Sequence, residues 1–388
     1  MNICIDTRTL SYGVPTSGVY LYAKHVIERM IEKHPEHTFT LLHIGRKNRS
    51  FEEYTKKSNV RTVWTPIPNN LLHGINRFIP YPYFDSFIKG DIFFSPHIHA
   101  LSLKRPERHA LTIYDLSFEH YKNFFSHRYN SWHALQHVGA HAKKAGNILT
   151  ISEFSKYDIA NTYGIREERI IVAEPGIDSI FSEKNLEEKE KFKKENGIEK
   201  PYILFTGRLE PRKNIEGAIQ AFNIVKQNSW AHDFEFKIVG SHGWLCDTIF
   251  REAEKSPYRK DIQFLGSVSN ETLSHLYNSA SCFLYPSFFE GFGIPPLEAQ
   301  ACGTPVITSN RSSFPESIGS SGIMADPWRT EEIAYGLEAI LRNDIFADEL
   351  RKRGRENVKR FLWNESAEKI FSTLVTLHGK SEISNKKH

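Results

Sequence analysis

The chain has no apolar run approaching the roughly 18–20 residues that cross a bilayer, so no segment reads as a membrane-spanning helix. Cysteine is scarce. The four present, Cys4, Cys246, Cys282 and Cys302, are scattered and lack any Cys-x-x-Cys spacing. They make neither a zinc pattern nor a disulfide framework, and they fit a reducing cytoplasm. Gly-x-Gly-x-x-Gly is missing, which removes the main support for a dinucleotide-dependent dehydrogenase. No array of basic and aromatic residues suggests a nucleic-acid module, so no nucleic-acid partner is expected. Met1-Asn2 leads straight into Ile3-Cys4-Ile5, the start of a strand and not of a signal peptide.

Charge of one sign is also lacking overall: the net charge is +4, but it is unevenly spread. Residues 1–178 hold 22 Lys/Arg against 17 Asp/Glu and 13 of the 18 histidines, whereas the remainder holds 28 against 29. A basic first half suits an anionic acceptor or an acidic membrane surface, or is simply a solvated face.

With 388 residues and a 40% apolar fraction, two domains with full cores are expected. Short apolar segments at Ile3–Ile5, Thr38–His43, Asp91–Ser95, Ala110–Tyr114 and Asn147–Ile151 alternate with polar or helical ones. A second series follows at Tyr202–Gly207, Phe234–Val239, Ile262–Leu265, Cys282–Tyr285 and Pro305–Thr308. Alternating strands and helices predict an α/β fold with two parallel, doubly wound sheets. The divide is expected between Asp178 and Pro201, giving a first domain over 1–178 and a second over 179–362. Helices are expected at Val19–Lys33, Lys156–Tyr163, Glu331–Arg342, Ile345–Arg360 and Asn364–Leu377, and a disordered polar tail at 379–388. Arg46–Lys57 reads as a basic loop or short helix. Trp64–Ile88, rich in aromatics and proline, reads as core or cleft wall, with contact to a membrane surface as the alternative.

The densest signal is Pro286-Ser287-Phe288-Phe289-Glu290-Gly291-Phe292-Gly293-Ile294-Pro295-Pro296-Leu297-Glu298. Pro286 ends a strand, and Gly291 and Gly293 allow a ligand to approach the backbone closely. Pro295 and Pro296 suit the first turn of a helix, and Gly303 followed by Pro305 suits its end. Glu298, leaning toward the helix N-terminus, is expected at the same mouth as Glu290. Unpaired N–H groups there favour a phosphate. After the first strand of this half, Arg208, Arg212 and Lys213 place three cations within six residues, which suits a diphosphate. Ser17 is expected to cap the helix that follows the first strand, and Gly18 lets a phosphate or acceptor approach.

The glutamate string resembles the signature of the retaining glycosyltransferases of family 4. That resemblance covers nearly the whole chain and implies the GT-B fold, two Rossmann-like domains facing across a cleft, with a final helix (363–378) crossing back to the first domain. It implies a nucleotide-sugar donor and three catalytic residues: Glu290, Lys213 and Arg208. Arg208 and Lys213 match the diphosphate-binding cations, with Arg212 beside them. Glu298 would bind the ribose. Glu290 and the backbone of Gly291, Phe292, Gly293 and Ile294 would hold the sugar, and Gly18 matches the family's first glycine loop. No metal or other cofactor is implied, and the Asp-x-Asp signature of the other main glycosyltransferase fold is missing.

On the acceptor or sugar side, Tyr114-Asp115 occupies the place where many relatives carry His-Asp, and Ser152 matches a family serine. Ser155 is expected to cap the helix that follows. The acceptor implied is a growing surface glycan such as O-antigen or capsule, lipid-linked, reached from the cytoplasm with peripheral membrane contact. Among donors GDP-mannose is favoured, with UDP-hexoses open. An epimerase of the same fold and a non-catalytic nucleotide-sugar-binding protein are the alternatives.

Overall fold

The computed structural model describes residues 1–12, 17–45, 54–69, 71–72 and 81–385. The expectations for 46–53, for 73–80 and for 386–388 therefore lie outside the described residues.

The chain divides into two compact units. The first comprises Met1–His120, His127–Gly176 and Leu362–His388, and the second Tyr121–Ser126 and Ile177–Phe361. The main division falls at 176/177, close to the 178/179 expected. The excursion of Tyr121–Ser126 into the second unit has no counterpart in the contiguous domains expected. Its rings explain it: Phe124 stacks on Phe288 and Phe125 on Trp244, whose indole N–H donates to the Phe124 carbonyl at 2.6 Å.

In the first unit, seven parallel strands lie in the order β3-β2-β1-β4-β5-β6-β7. They are β1 (Asn2–Asp6), β2 (Thr38–Ile44), β3 (Val60–Thr65), β4 (Ile92–Ser95), β5 (His109–Thr112), β6 (Asn147–Thr150) and β7 (Ile170–Val172). Their central members are fully buried, as sheets covered on both faces require. Leu72, Phe84 and Ile88 pack beneath Leu42, Ile44 and Phe93, so part of Trp64–Ile88 is core, while Trp64, Leu71, Tyr81 and Phe87 remain exposed.

The final helix, Trp363–Asn385, belongs to this unit. It lies on the helix Gly18–Lys33, with Trp363 stacked on His25 and Phe371 on His34. It runs on through Gly379, so the disordered tail expected from 379 is corrected at least to Asn385. Ser381 donates to the His378 carbonyl, and Glu382 pairs with His378 one turn away.

In the second unit, six parallel strands lie in the order β10-β9-β8-β11-β12-β13. They are β8 (Tyr202–Thr206), β9 (Glu235–Val239), β10 (Ile262–Gly266), β11 (Cys282–Tyr285), β12 (Val306–Ser309) and β13 (Ile323–Ala325). Each sheet reverses its winding once, between β1 and β4 in the first and between β8 and β11 in the second. Ligands of open α/β sheets bind beyond the carboxyl ends of the strands at such a reversal.

Candidate active site

The two loops that leave the reversal point of the second sheet carry the glutamate string and the cation cluster. Pro211–Lys213 forms one turn of 3-10 helix after β8, and Asn214 follows in the left-handed region at φ 54°. Asn214 is held there because its side-chain amide donates to the carbonyls of Pro286 and Pro327. The Phe288 N–H donates to the Arg212 carbonyl, joining this loop to the one after β11. The glutamate loop is fixed from its other side: Ser312 Oγ accepts from the Glu290 N–H, and Ser313 Oγ donates to the Glu290 carbonyl.

This scaffold brings three of the expected residues together. Glu290, buried, takes Lys213 Nζ on Oε1 at 2.5 Å and Arg212 on Oε2 at 3.0 Å. Arg212 also reaches Glu210 and the Phe289 carbonyl. Tyr285, at the end of β11, places its hydroxyl 2.6 Å from Lys213 Nζ and 3.3 Å from Glu290 Oε1. Burial would raise the Glu290 pKa, but the Arg212 and Lys213 cations overcome it and hold it at about 2. Burial, then the like charge of Arg212, lower the Lys213 pKa against the pull of Glu290.

Arg208 differs from the other two cations. It lies over the Trp244 ring at 5.6 Å and makes no ion pair among the described residues. Its charge is therefore uncompensated by carboxylate, and a diphosphate would compensate it.

At this mouth Gly293 is required by geometry. Gly293 has φ 98°, and a Cβ there would come within 2.6 Å of the Phe314 ring. The helix Ile294–Ala301 starts at this point with no side-chain cap, and Pro295 and Pro296 lie in its first turn. The N–H groups of Gly291, Phe292 and Gly293 find no acceptor among the described residues. The Phe292 ring, however, turns inward against Phe361, so its contribution to a ligand is its backbone.

Glu298, half-buried on this helix, does not join the Glu290 cluster. Its Oε2 accepts from the Tyr277 hydroxyl at 3.0 Å. Burial raises its pKa to about 7 despite that bond. Glu290 and Glu298 thus stand in opposite states: one is locked as an anion among cations, the other is poised near neutrality.

The expected residues of the first unit make local hydrogen bonds, and those to Asp115 engage only its Oδ1. Gly18 opens its helix, and Ser17 caps it by accepting from the Tyr20 N–H at 3.3 Å. The Tyr114 hydroxyl donates to the Pro96 carbonyl at 2.9 Å, and Asp115 accepts from the Ser117 N–H and hydroxyl. Ser152 caps the helix Glu153–Tyr163, accepting from the Ser155 N–H at 3.0 Å. This corrects the expectation that Ser155 is the cap: the helix starts at Glu153, and the Ser155 hydroxyl is directed to the Tyr114 carbonyl. Among the described residues no cluster of histidine, cysteine and carboxylate side chains is arranged to hold a metal ion.

Sequence reasoning missed Tyr285, Tyr277, Glu210, Asn214 and the pair Ser312-Ser313. Tyr285 and Glu210 adjoin the motifs and were accessible as their neighbours. Tyr277 lies 21 positions from Glu298, and no local spacing marks it.

Two doubly wound sheets, the second with a mouth of cations, a buried carboxylate and open N–H groups at its reversal point, define a glycosyltransferase of GT-B architecture. The chain belongs to the family described as glycosyl transferases group 1, whose pattern matches residues 187–360. It is 31% identical over 287 residues to O-antigen chain mannosyltransferase B of Escherichia coli, covering 72% of each chain. It is 28% identical to O-antigen chain mannosyltransferase RfbU of Salmonella typhimurium, covering 70% of this chain and 72% of that one. The fold matches that of WaaG, a glycosyltransferase involved in lipopolysaccharide biosynthesis, with TM-score 0.72 at 16% identity, covering 96% of this chain and 99% of WaaG. Sucrose-phosphate synthase from Thermosynechococcus elongatus gives TM-score 0.73 at 17% identity, covering 98% of this chain and all of the other.

Proposed function

We propose that this glycosyltransferase moves a mannosyl group from GDP-mannose, with retention and without a resident metal, onto a growing, lipid-linked surface glycan. The observation that carries the reading is the Glu290–Lys213–Arg212 cluster beside the unpaired Arg208 and the free N–H groups of the glycine loop. The relatives named as O-antigen mannosyltransferases support the sugar and the acceptor.

Glu298 binds the ribose. Arg208 and Lys213 take up the negative charge that develops on the departing diphosphate, the charge a metal would otherwise balance. The Lys213 ammonium gives two of its three N–H groups to Glu290 and Tyr285, and the third is the one a diphosphate oxygen would take. Glu290 and the backbone of Gly291–Ile294 then hold the sugar. The acceptor hydroxyl attacks from the face that the diphosphate leaves, and a diphosphate oxygen takes its proton.

Peripheral attachment at the inner face of the membrane fits the exposed Trp64, Leu71, Tyr81 and Phe87 of the basic first unit. No helix among the described residues is long and apolar enough to cross a bilayer. Flotation with anionic vesicles measures this attachment, and a protein that stays unbound at low salt would refute it.

Transfer from GDP-mannose to a lipid-linked glycan should fall at least about 100-fold in Lys213→Ala and in Glu290→Ala. Near-normal turnover in both would sink the assignment. Conversion of donor with no acceptor present would mark an epimerase, and tight donor binding with no turnover of any acceptor would mark a binding protein.

A further inference from the structure

Tyr277 is buried, contributes nothing to the cation cluster, and lies outside both site loops. It belongs to the helix Asn270–Ser279, and its ring is fixed edge-on between Phe181 and Phe283. Its hydroxyl stands between two groups, Thr206 Oγ1 at 2.8 Å and Glu298 Oε2 at 3.0 Å. Thr206 is the last residue of β8, so the bridge runs from the strand end through Tyr277 to the helix that carries Glu298. The Tyr277 backbone reaches the same helix at its exit, where its carbonyl accepts from Thr304 Oγ1 at 2.5 Å.

A phenol has one proton, and a carboxylate is a better acceptor than a neutral hydroxyl. Tyr277 therefore donates to Glu298, and Thr206 donates to Tyr277. This hydrogen bond is the only one made by the Glu298 carboxylate among the described residues. It occupies Oε2 and fixes the rotamer, which leaves Oε1 for a ligand hydroxyl.

We infer that Tyr277 is a positioning residue for the donor: by holding Glu298 Oε2 it aims Oε1 at the ribose hydroxyls, and it thereby sets the preference for ribose over deoxyribose. The inference rests on the ribose role proposed for Glu298. Burial raises the pKa of that carboxyl to about 7, and the Tyr277 hydrogen bond opposes the rise, favouring the acceptor form.

The test is calorimetric titration of the full chain with GDP, 2′-deoxy-GDP and 3′-deoxy-GDP at pH 8, in wild type, Tyr277→Phe and Thr206→Val. Phenylalanine keeps the buried ring and removes only the hydroxyl. Wild type should prefer GDP, and Tyr277→Phe should bind GDP about 10- to 100-fold more weakly while its deoxy-nucleotide affinities hold. Thr206→Val should move the ratio the same way by less. Equal losses for all three nucleotides, or an unchanged ratio, would overturn the positioning role and leave the nucleotide site standing. Equal wild-type affinities would refute the ribose role of Glu298 and this inference with it. No binding of GDP or UDP by wild type would refute the donor reading itself. Should Tyr277→Phe fail to fold, the Thr206→Val ratio decides.

Discussion

The two sheets reverse their winding at equivalent places, yet they fill those places differently. In the first unit the reversal between β1 and β4 is closed by the protein's own charges. Asp6, at the end of β1, is bonded to Arg8, and His97, just past β4, stands 3.2 Å from the same carboxylate. All three side chains are buried, and Arg8 also donates to the Ala100 carbonyl at 3.0 Å. Burial works against the Asp6 anion, but Arg8 and His97 hold its pKa well below the ordinary range. At the reversal in the second unit, Glu290 pairs with Lys213 and Arg212, but Arg208 and the glycine-loop N–H groups are left over. The same topology thus gives a sealed reversal in one unit and a receptive one in the other. The fold offers the place, and the charge balance decides whether a ligand is needed to complete it.

The sharpest way to separate the two is to remove one charge from each. Lys213→Ala should abolish most transfer, because the charge it removes is the one proposed to serve the departing diphosphate. Asp6→Asn should act on stability instead. It strands the Arg8 guanidinium in the interior, at a cost of about 3–5 kcal/mol, measured by denaturant unfolding. Nucleotide affinity in the second unit should be unchanged, and a loss of GDP affinity matching that of Lys213→Ala would break the comparison. Gly293→Ala should come next, at about 2 kcal/mol, from its left-handed backbone and the crowded Phe314 ring. A melting temperature equal to that of wild type would contradict the geometry.

Acid should also distinguish the units. Burial holds His109 neutral in the first unit, with its pKa at about 3, and burial likewise lowers His133 and His141 to about 4. The unfolded chain protonates these residues near pH 6.5, before the folded one does. Their contribution is therefore complete above pH 6.5 and is lost progressively as the pH falls toward 4. Glu290, by contrast, keeps its charge down to about pH 2. Thermal scans between pH 7.5 and 5 should show the first unit's transition moving down while the second moves less. Parallel movement of both would refute this. A smaller effect is expected at Glu298: GDP affinity should weaken as the pH falls through about 7 and the carboxyl takes up a proton.

What was legible in the residues follows the same division. The mouth of the second unit could be read because it is punctuated: Pro286, Gly291, Gly293, the proline pair and Gly303 each announce a backbone event. The central strands could be read because burial on both faces leaves continuous apolar runs. The strands missed, β3, β7 and β13, are all edges. β3 carries exposed Arg61 and Thr62 among its apolar residues, and β7 and β13 are three residues long, so neither a run nor an alternation shows. Ser152 and Ser155 are chemically equivalent candidates for one cap, and only the position of the first helical turn separates them. The Asp6–His97 link of the first unit and the Thr206–Tyr277 link of the second join residues 91 and 71 positions apart, so they exist only once the chain has folded.

The central claim is that the second unit holds a metal-independent nucleotide site completed by Lys213. It is tested most directly by melting wild type and Lys213→Ala with GDP, UDP and dTDP in the presence of a chelator. Wild type should show a selective, chelator-resistant stabilisation by GDP, roughly 2.7 kcal/mol at about 100 times the dissociation constant, and the variant should lose it. A shift that chelation abolishes, or one that survives intact in Lys213→Ala, would contradict it.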